Sequence, residues 1–223
     1  MKNFGIKLIQ IVLGFGAGFL VFSAATPAFA YNNQNAVTYA KTYACNGDTT
    51  FACHNNSQYR TVGNQLFNSD CANFVSQALR AGGYPYLGAA NGIAQWWYSS
   101  TDQSSSWVSV SALYNQLSAS GRLSAVFYPA MYAKYSGATG GDVYMYDWGR
   151  GEGYSHMAIS TNSGTFANYA DTNGPYSAVT GGSGDRIAQH STDRVDSPWN
   201  WGYWTENSWS VVQNMRTKVL HLQ

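Results

Sequence analysis

The chain has 223 residues, with 12 basic and 11 acidic side chains and a formal net charge of +1. Charged residues make up 10% of it, against roughly 25% in ordinary globular domains, so charge argues against nucleic acid or an anionic membrane surface as partner. Tyrosine (17) and tryptophan (8) are plentiful; an uncharged, aromatic-rich surface suits glycan or peptide contact, although many of these rings must be core.

Lys2 and Lys7 form a basic start, residues 8–22 are almost wholly apolar, and Ala28-Phe29-Ala30 has the small-x-small form of a cleavage site. The apolar span is short for the roughly 20 residues of a membrane helix and holds three glycines. Residues 1–30 therefore read as a cleaved secretory signal peptide. Residues 31–223 read as one exported domain with a sizeable core. Without Lys2 and Lys7 that domain carries ten basic against eleven acidic side chains. It has no second apolar run long enough for a membrane, and it is expected to be a secreted monomer.

Asn33 can cap a first helix, QNAVTYAKTYA, whose Ala36, Val37, Ala40, Tyr43 and Ala44 recur at helical spacing. A loop follows to about Asn68. It contains Cys45 and Cys53, flanking a turn-rich stretch. Three cysteines is an odd number for an oxidising compartment. A Cys45–Cys53 disulfide is the preferred pairing, worth roughly 2–3 kcal/mol in the chain-entropy view; both could instead stay reduced, or one could pair with Cys71. The preferred pairing leaves Cys71 as the remaining thiol.

The next segment, SDCANFVSQALRAGG, predicts a helix. Ser69 or Asp70 caps it, Phe74, Val75, Ala78 and Leu79 form its apolar face, and Gly82-Gly83 end it. Residues 84–106 read as loop, and SVSALYNQLSAS as a third helix ending at Gly121. The period then changes to alternation. DVYMYDW, SHMAIST and RIAQHST read as strands, and SWSVVQNMRTKVLHL reads mostly as strand. Helices first and strands afterwards predict an α+β domain with a mainly antiparallel sheet.

Cys71 opens its helix, where unsatisfied amides stabilise a thiolate and a developing oxyanion. Buried filler is an equally good reading of that position taken alone. A thiolate nucleophile wants an imidazole partner. Of four histidines, His54 and His221 read as solvated bystanders. His156 heads one strand and His190 lies in the next, so the second could fix the tautomer of the first.

DCANFVSQALRAGG, GDVYMYDW, SHMAIST and AQHSTDR, in that order, resemble the secreted bacterial proteins called the putative amidase domain, a group that looks related to the papain-like NlpC-type and CHAP-type cell-wall peptidases. The resemblance implies a papain-like fold with Cys71 as nucleophile, His156 as base and His190 as the residue that orients it. Asp171, Asp193 and Asn168 compete for that third role, and Asp142 matches a structural turn aspartate. Gln65 has the spacing of a papain-type oxyanion-hole glutamine, although a solvated loop residue is the plainer reading. The implied substrate is an amide bond of peptidoglycan or a peptide. Trp96, Trp97, Trp107, Trp199, Trp201 and Trp204 could line a groove, with core packing the plainer reading for each. No cofactor is expected, and neither H-E-x-x-H nor paired C-x-x-C spacing calls for a metal. The rival reading is a non-catalytic, aromatic-rich module that binds wall glycan.

Overall fold

A computed structural model describes residues 30–44, 70–88, 95–162, 184–190 and 193–223, with the backbone alone at Trp204. Residues 1–29, Cys45, Cys53, His54, Gln65, Asn168 and Asp171 lie outside the described residues, and so does the expected Cys45–Cys53 pairing.

Helix α1 spans Asn33–Tyr43. Its cap is Asn32, one residue earlier than the sequence reading, because the Asn32 side chain accepts a hydrogen bond from Asn35 N–H at 2.9 Å. Helix α2 spans Cys71–Ala81 and is buried from Cys71 through Leu79. A helix buried all round should be apolar, yet this one carries Asn73, Ser76 and Gln77. Each of them has a partner. Asn73 Oδ1 accepts from Trp107 Nε1 at 2.7 Å and from Gln77 Nε2 at 3.2 Å. Ser76 Oγ accepts from Trp96 Nε1, and Gln77 Oε1 accepts from the Tyr39 hydroxyl. The polar half of ANFVSQAL thus ties α2 to α1 and to the tryptophan-bearing segments behind it, while Phe74, Val75, Ala78 and Leu79 pack the core.

Residues 95–104 make bridges and turns before a short helix, α3 (Ser105–Val108), that the sequence reading counted as loop. Helix α4 follows (Val110–Ala119), with Ser109 as its cap. The strands are β1 (Leu123–Phe127), β2 (Val143–Asp147), β3 (Tyr154–Asn162), β4 (Arg186–Gln189), β5 (Arg194–Pro198) and β6 (Arg216–Leu222). They form one open sheet in the order β1-β6-β2-β3-β4-β5, antiparallel at every pairing.

The final stretch corrects the sequence reading. Residues 209–212 form a helical turn, α6 (Trp209–Val212), before β6 begins. The neighbouring strand explains the break: Asp147, the last residue of β2, pairs with Arg216, so a strand extended further back would have no ladder on that side to satisfy its backbone. Trp201–Thr205 form a further helical turn, α5.

Alternation sorts the sheet into two faces. Val143, Met145, Met157, Ile159, Ala188 and Leu220 pack with α2 and α4. Tyr144, Tyr146, Ala158, Ile187 and Val219 pack with Met131, Ala138 and Trp199 on the other side. Asp142 anchors the start of β2 from a fully buried position. Its carboxylate accepts from Thr139 N–H at 2.7 Å and from Leu222 N–H, and its Oδ2 lies 2.9 Å from His221 Nδ1. Asp142 is structural, as read. His221 is no solvated bystander: it joins the last strand to that carboxylate.

Candidate active site

Cys71 is the first residue of α2 and is buried. Asp70 occupies the N-cap position, but its side chain makes no capping bond, because the carboxylate is turned to His190. Asp70 Oδ2 lies 2.8 Å from His190 Nδ1. On the far side of the ring, His190 Nε2 lies 2.7 Å from the Tyr43 carbonyl, which can only accept, so Nε2 carries a proton. The ring also stacks on Phe74, with centroids 4.1 Å apart. His190 therefore sits just past β4, clamped between the end of α1 and the start of α2.

These contacts do not support the expected role of His190 as the residue that orients His156. Both of its nitrogens are engaged by Asp70 and Tyr43, which leaves none to orient His156. The two rings also have different neighbours. His190 stacks on Phe74 of α2, whereas the His156 ring lies against Tyr146 and Trp148, at centroid distances of 5.8 and 5.7 Å. A strand reverses its side chains at each step, and the one-residue offset between Gln189 and His190 decides which of them approaches His156.

Gln189 is that residue. It is fully buried, and its Oε1 accepts from Trp201 Nε1 at 3.0 Å. Trp201 in turn lies 5.0 Å from Trp148 by ring centroid, and Arg194 places its guanidinium 4.2 Å above the Trp201 ring. Gly202 is required here, since any Cβ at that position would run into the Trp148 ring. The result is an aromatic corner around His156 made of Trp148, Trp201, Gln189 and Arg194. The sequence reading did not single out Trp148, Gln189 or Arg194. Gln189 and Arg194 had a usable signal, as both lie within the motif segment AQHSTDR.

Burial dominates the electrostatics of His156. It lowers the pKa from 6.5 to about 4; the approaching Gln189 amide and the Asp70 carboxylate favour the charged form, the Arg194 cation opposes it, and burial outweighs them. The imidazole is therefore neutral at ordinary pH. Its Nε2 is buried and has no hydrogen-bond partner among the described residues, the Cys71 sulfur included. Asp70 connects the two expected catalytic residues: it precedes Cys71 in the chain and acts electrostatically on His156.

The remaining expectations divide by burial. Trp96, Trp107 and Trp199 are fully buried and serve the core; Trp97 and Trp201 are half-buried. Asp193 is buried one residue before Arg194. Among the described residues, no helix is long and apolar enough to cross a membrane.

An α+β domain with a helix-start cysteine and a neutral buried imidazole is the class of protein that fold and site define. The chain belongs to the family described as Putative amidase domain, whose model matches residues 30–213. It is also similar to the uncharacterized protein YhbB of Bacillus subtilis (strain 168), with 35% identity over 80 residues. That match covers 36% of this chain and 22% of YhbB, so the aligned segment spans about a fifth of the relative's length. No solved structure matches the chain.

Proposed function

We propose that the protein is a secreted, papain-like cysteine hydrolase that cleaves amide bonds, with peptidoglycan as its substrate. Family membership supports amide hydrolysis. What supports the cysteine mechanism is Cys71 at the uncapped start of α2 together with a buried neutral imidazole whose Nε2 has no partner among the described residues and on whose charge Asp70, the residue next to Cys71, acts. Catalytic hydrogen bonds are often long before substrate is present and close in the complex, which accommodates the absence of a sulfur–Nε2 bond here.

In this mechanism His156 Nε2 takes the Cys71 thiol proton and the sulfur attacks the amide carbonyl carbon. The first amides of α2, which the Asp70 side chain does not cap, face the developing oxyanion. The tetrahedral intermediate collapses to a thioester as the protonated His156 gives its proton to the departing amine. Water, deprotonated by His156, then hydrolyses the thioester and restores the thiol. Gln189 positions His156. His190 acts one step further out, by holding Asp70 and the start of α2.

These two supporting roles separate by measurement. His190→Ala is expected to lower stability by roughly 3 kcal/mol, because it leaves Asp70 without its buried partner. Gln189→Ala is expected to cost on the order of tenfold to a hundredfold in turnover through misplacement of the base, with a smaller change in melting temperature. Melting curves and single-turnover rates on the two variants check this. A His190→Ala protein that melts like the wild type but is inactive would return His190 to the catalytic centre.

The substrate is tested by digesting purified peptidoglycan and weighing the products. Pairs of products that together have gained one water per cleaved amide bond, one with a new carboxyl group and the other with a new amine, are expected. Retention of intact wall material on the protein without any such fragment would favour the glycan-binding module instead.

A further inference from the structure

Arg194 stands out among the described cations. Lys41 pairs with Asp196 at 2.8 Å, and Arg150 pairs with Glu206 at 2.7 Å. Arg122 also has a buried unpartnered nitrogen, Nη1, but its Nη2 donates to the Pro85 carbonyl and its guanidinium lies over Tyr84 and Trp96 rather than beside His156. Arg194 opens β5 opposite Gln189, with its guanidinium over the Trp201 ring at 4.2 Å. Its Nε is buried without a hydrogen-bond partner, and no carboxylate among the described residues forms a salt bridge with it. Leaving a buried charged donor unmet is costly, and such a group calls for an explanation.

The contact with Trp201 sets the geometry of what could meet it. With the guanidinium carbon 4.2 Å above the Trp201 ring, the N–H groups remain as its binding direction. Those groups match the two oxygens of a carboxylate, which accept two parallel hydrogen bonds from them. The position is also specific. Arg194 is close enough to His156 to act on its charge, so an anion held there would lie beside the reacting amide.

We propose that Arg194 is a substrate-recognition residue that binds a free carboxylate on the peptide whose amide bond is cleaved. The protein would thereby select acidic or carboxyl-terminated peptides over neutral ones. Trp201 supports the guanidinium, and Gln189 fixes Trp201 through the 3.0 Å bond to its indole N–H. This inference rests on the hydrolase reading for its meaning, but it is tested by binding rather than turnover, so the two can fail separately.

The experiment measures binding of acetyl-Ala-Ala, which carries one carboxylate, and of its C-terminal methyl amide, which carries none. Tryptophan fluorescence and calorimetry on the wild-type protein provide the readout. The acid is expected to bind at least about tenfold more tightly than the amide, as a charge-assisted bidentate contact requires. Arg194→Gln should remove that preference, and Arg194→Lys should keep part of it, retaining the charge without the fork. Equal affinity of the wild type for acid and amide, binding of neither, or an Arg194→Gln protein that still prefers the acid would each overturn the proposal. Inorganic phosphate serves as a further probe: if it competes with the acid at equal affinity, the site is a general anion site and the carboxylate assignment fails. The acid-against-amide comparison needs no variant, so a misfolded Arg194→Gln protein would not spare the proposal.

Discussion

Cys71→Ala is expected to lower amide hydrolysis on the order of 10⁴-fold or more, the loss seen when a nucleophile is removed and only binding and oxyanion donors remain. The fold should persist. Cys71 is buried at the first position of α2, outside both apolar clusters, and truncation to alanine removes one atom there, at a cost of about 1 kcal/mol. His156→Ala should lose between 10²- and 10⁴-fold, the usual range for a general acid–base, and exogenous imidazole should restore part of the rate. Single-turnover kinetics on the two variants and the double variant provide the check. If the two act as one unit, the double variant should be scarcely worse than Cys71→Ala alone. A Cys71→Ala protein with wild-type turnover would return the thiol to the status of core filler.

Acid should destabilise the protein through His156, and the sign follows from its burial. The folded pKa is about 4 against 6.5 for an exposed imidazole, so the unfolded chain takes up a proton that the folded protein refuses between those values. Stability is therefore fully present above about pH 6.5 and falls as the pH drops towards 4. It changes no further, on this account, below the folded pKa. The loss amounts to about 3 kcal/mol, because a tenfold difference in proton affinity between the folded and unfolded chains is worth about 1.4 kcal/mol. Carboxylates also titrate near the lower end, so the quantity to measure is the difference between wild type and His156→Gln in urea unfolding from pH 7 to pH 4. The wild type should lose about 3 kcal/mol relative to the variant over that window. Parallel curves would mean that the imidazole is not held neutral by burial.

Helix positions were legible because their signals are local. The Asn, Asp and Ser residues ahead of α1, α2 and α4, and the paired glycines after α2, mark helix ends whatever the rest of the chain does. Three of the strand segments were readable for the same reason, since VYMYD, HMAIS and RIAQ present side chains for two faces. Strands β1 and β5 escaped notice: β1 is only partly covered and β5 only partly buried, so neither has a marked apolar alternation. The helical turn at 209–212 was misread because apolar periodicity does not say where the neighbouring strand ends.

The available chemistry was legible from the chain alone: a cysteine at the start of a helix, three histidines downstream of it, a low charge and the motif order of the family. Each of these depends on residue type and spacing of a few positions, which is the range over which capping, periodicity and helix-terminus electrostatics act. Which groups meet depended instead on long-range packing. It turned His190 towards Asp70 and the Tyr43 carbonyl, brought Gln189 rather than His190 to His156, and left the Arg194 Nε buried without a partner. Those outcomes hang on one-residue offsets between strands and on contacts more than a hundred residues apart, where a shift of one position exchanges the two faces of a sheet.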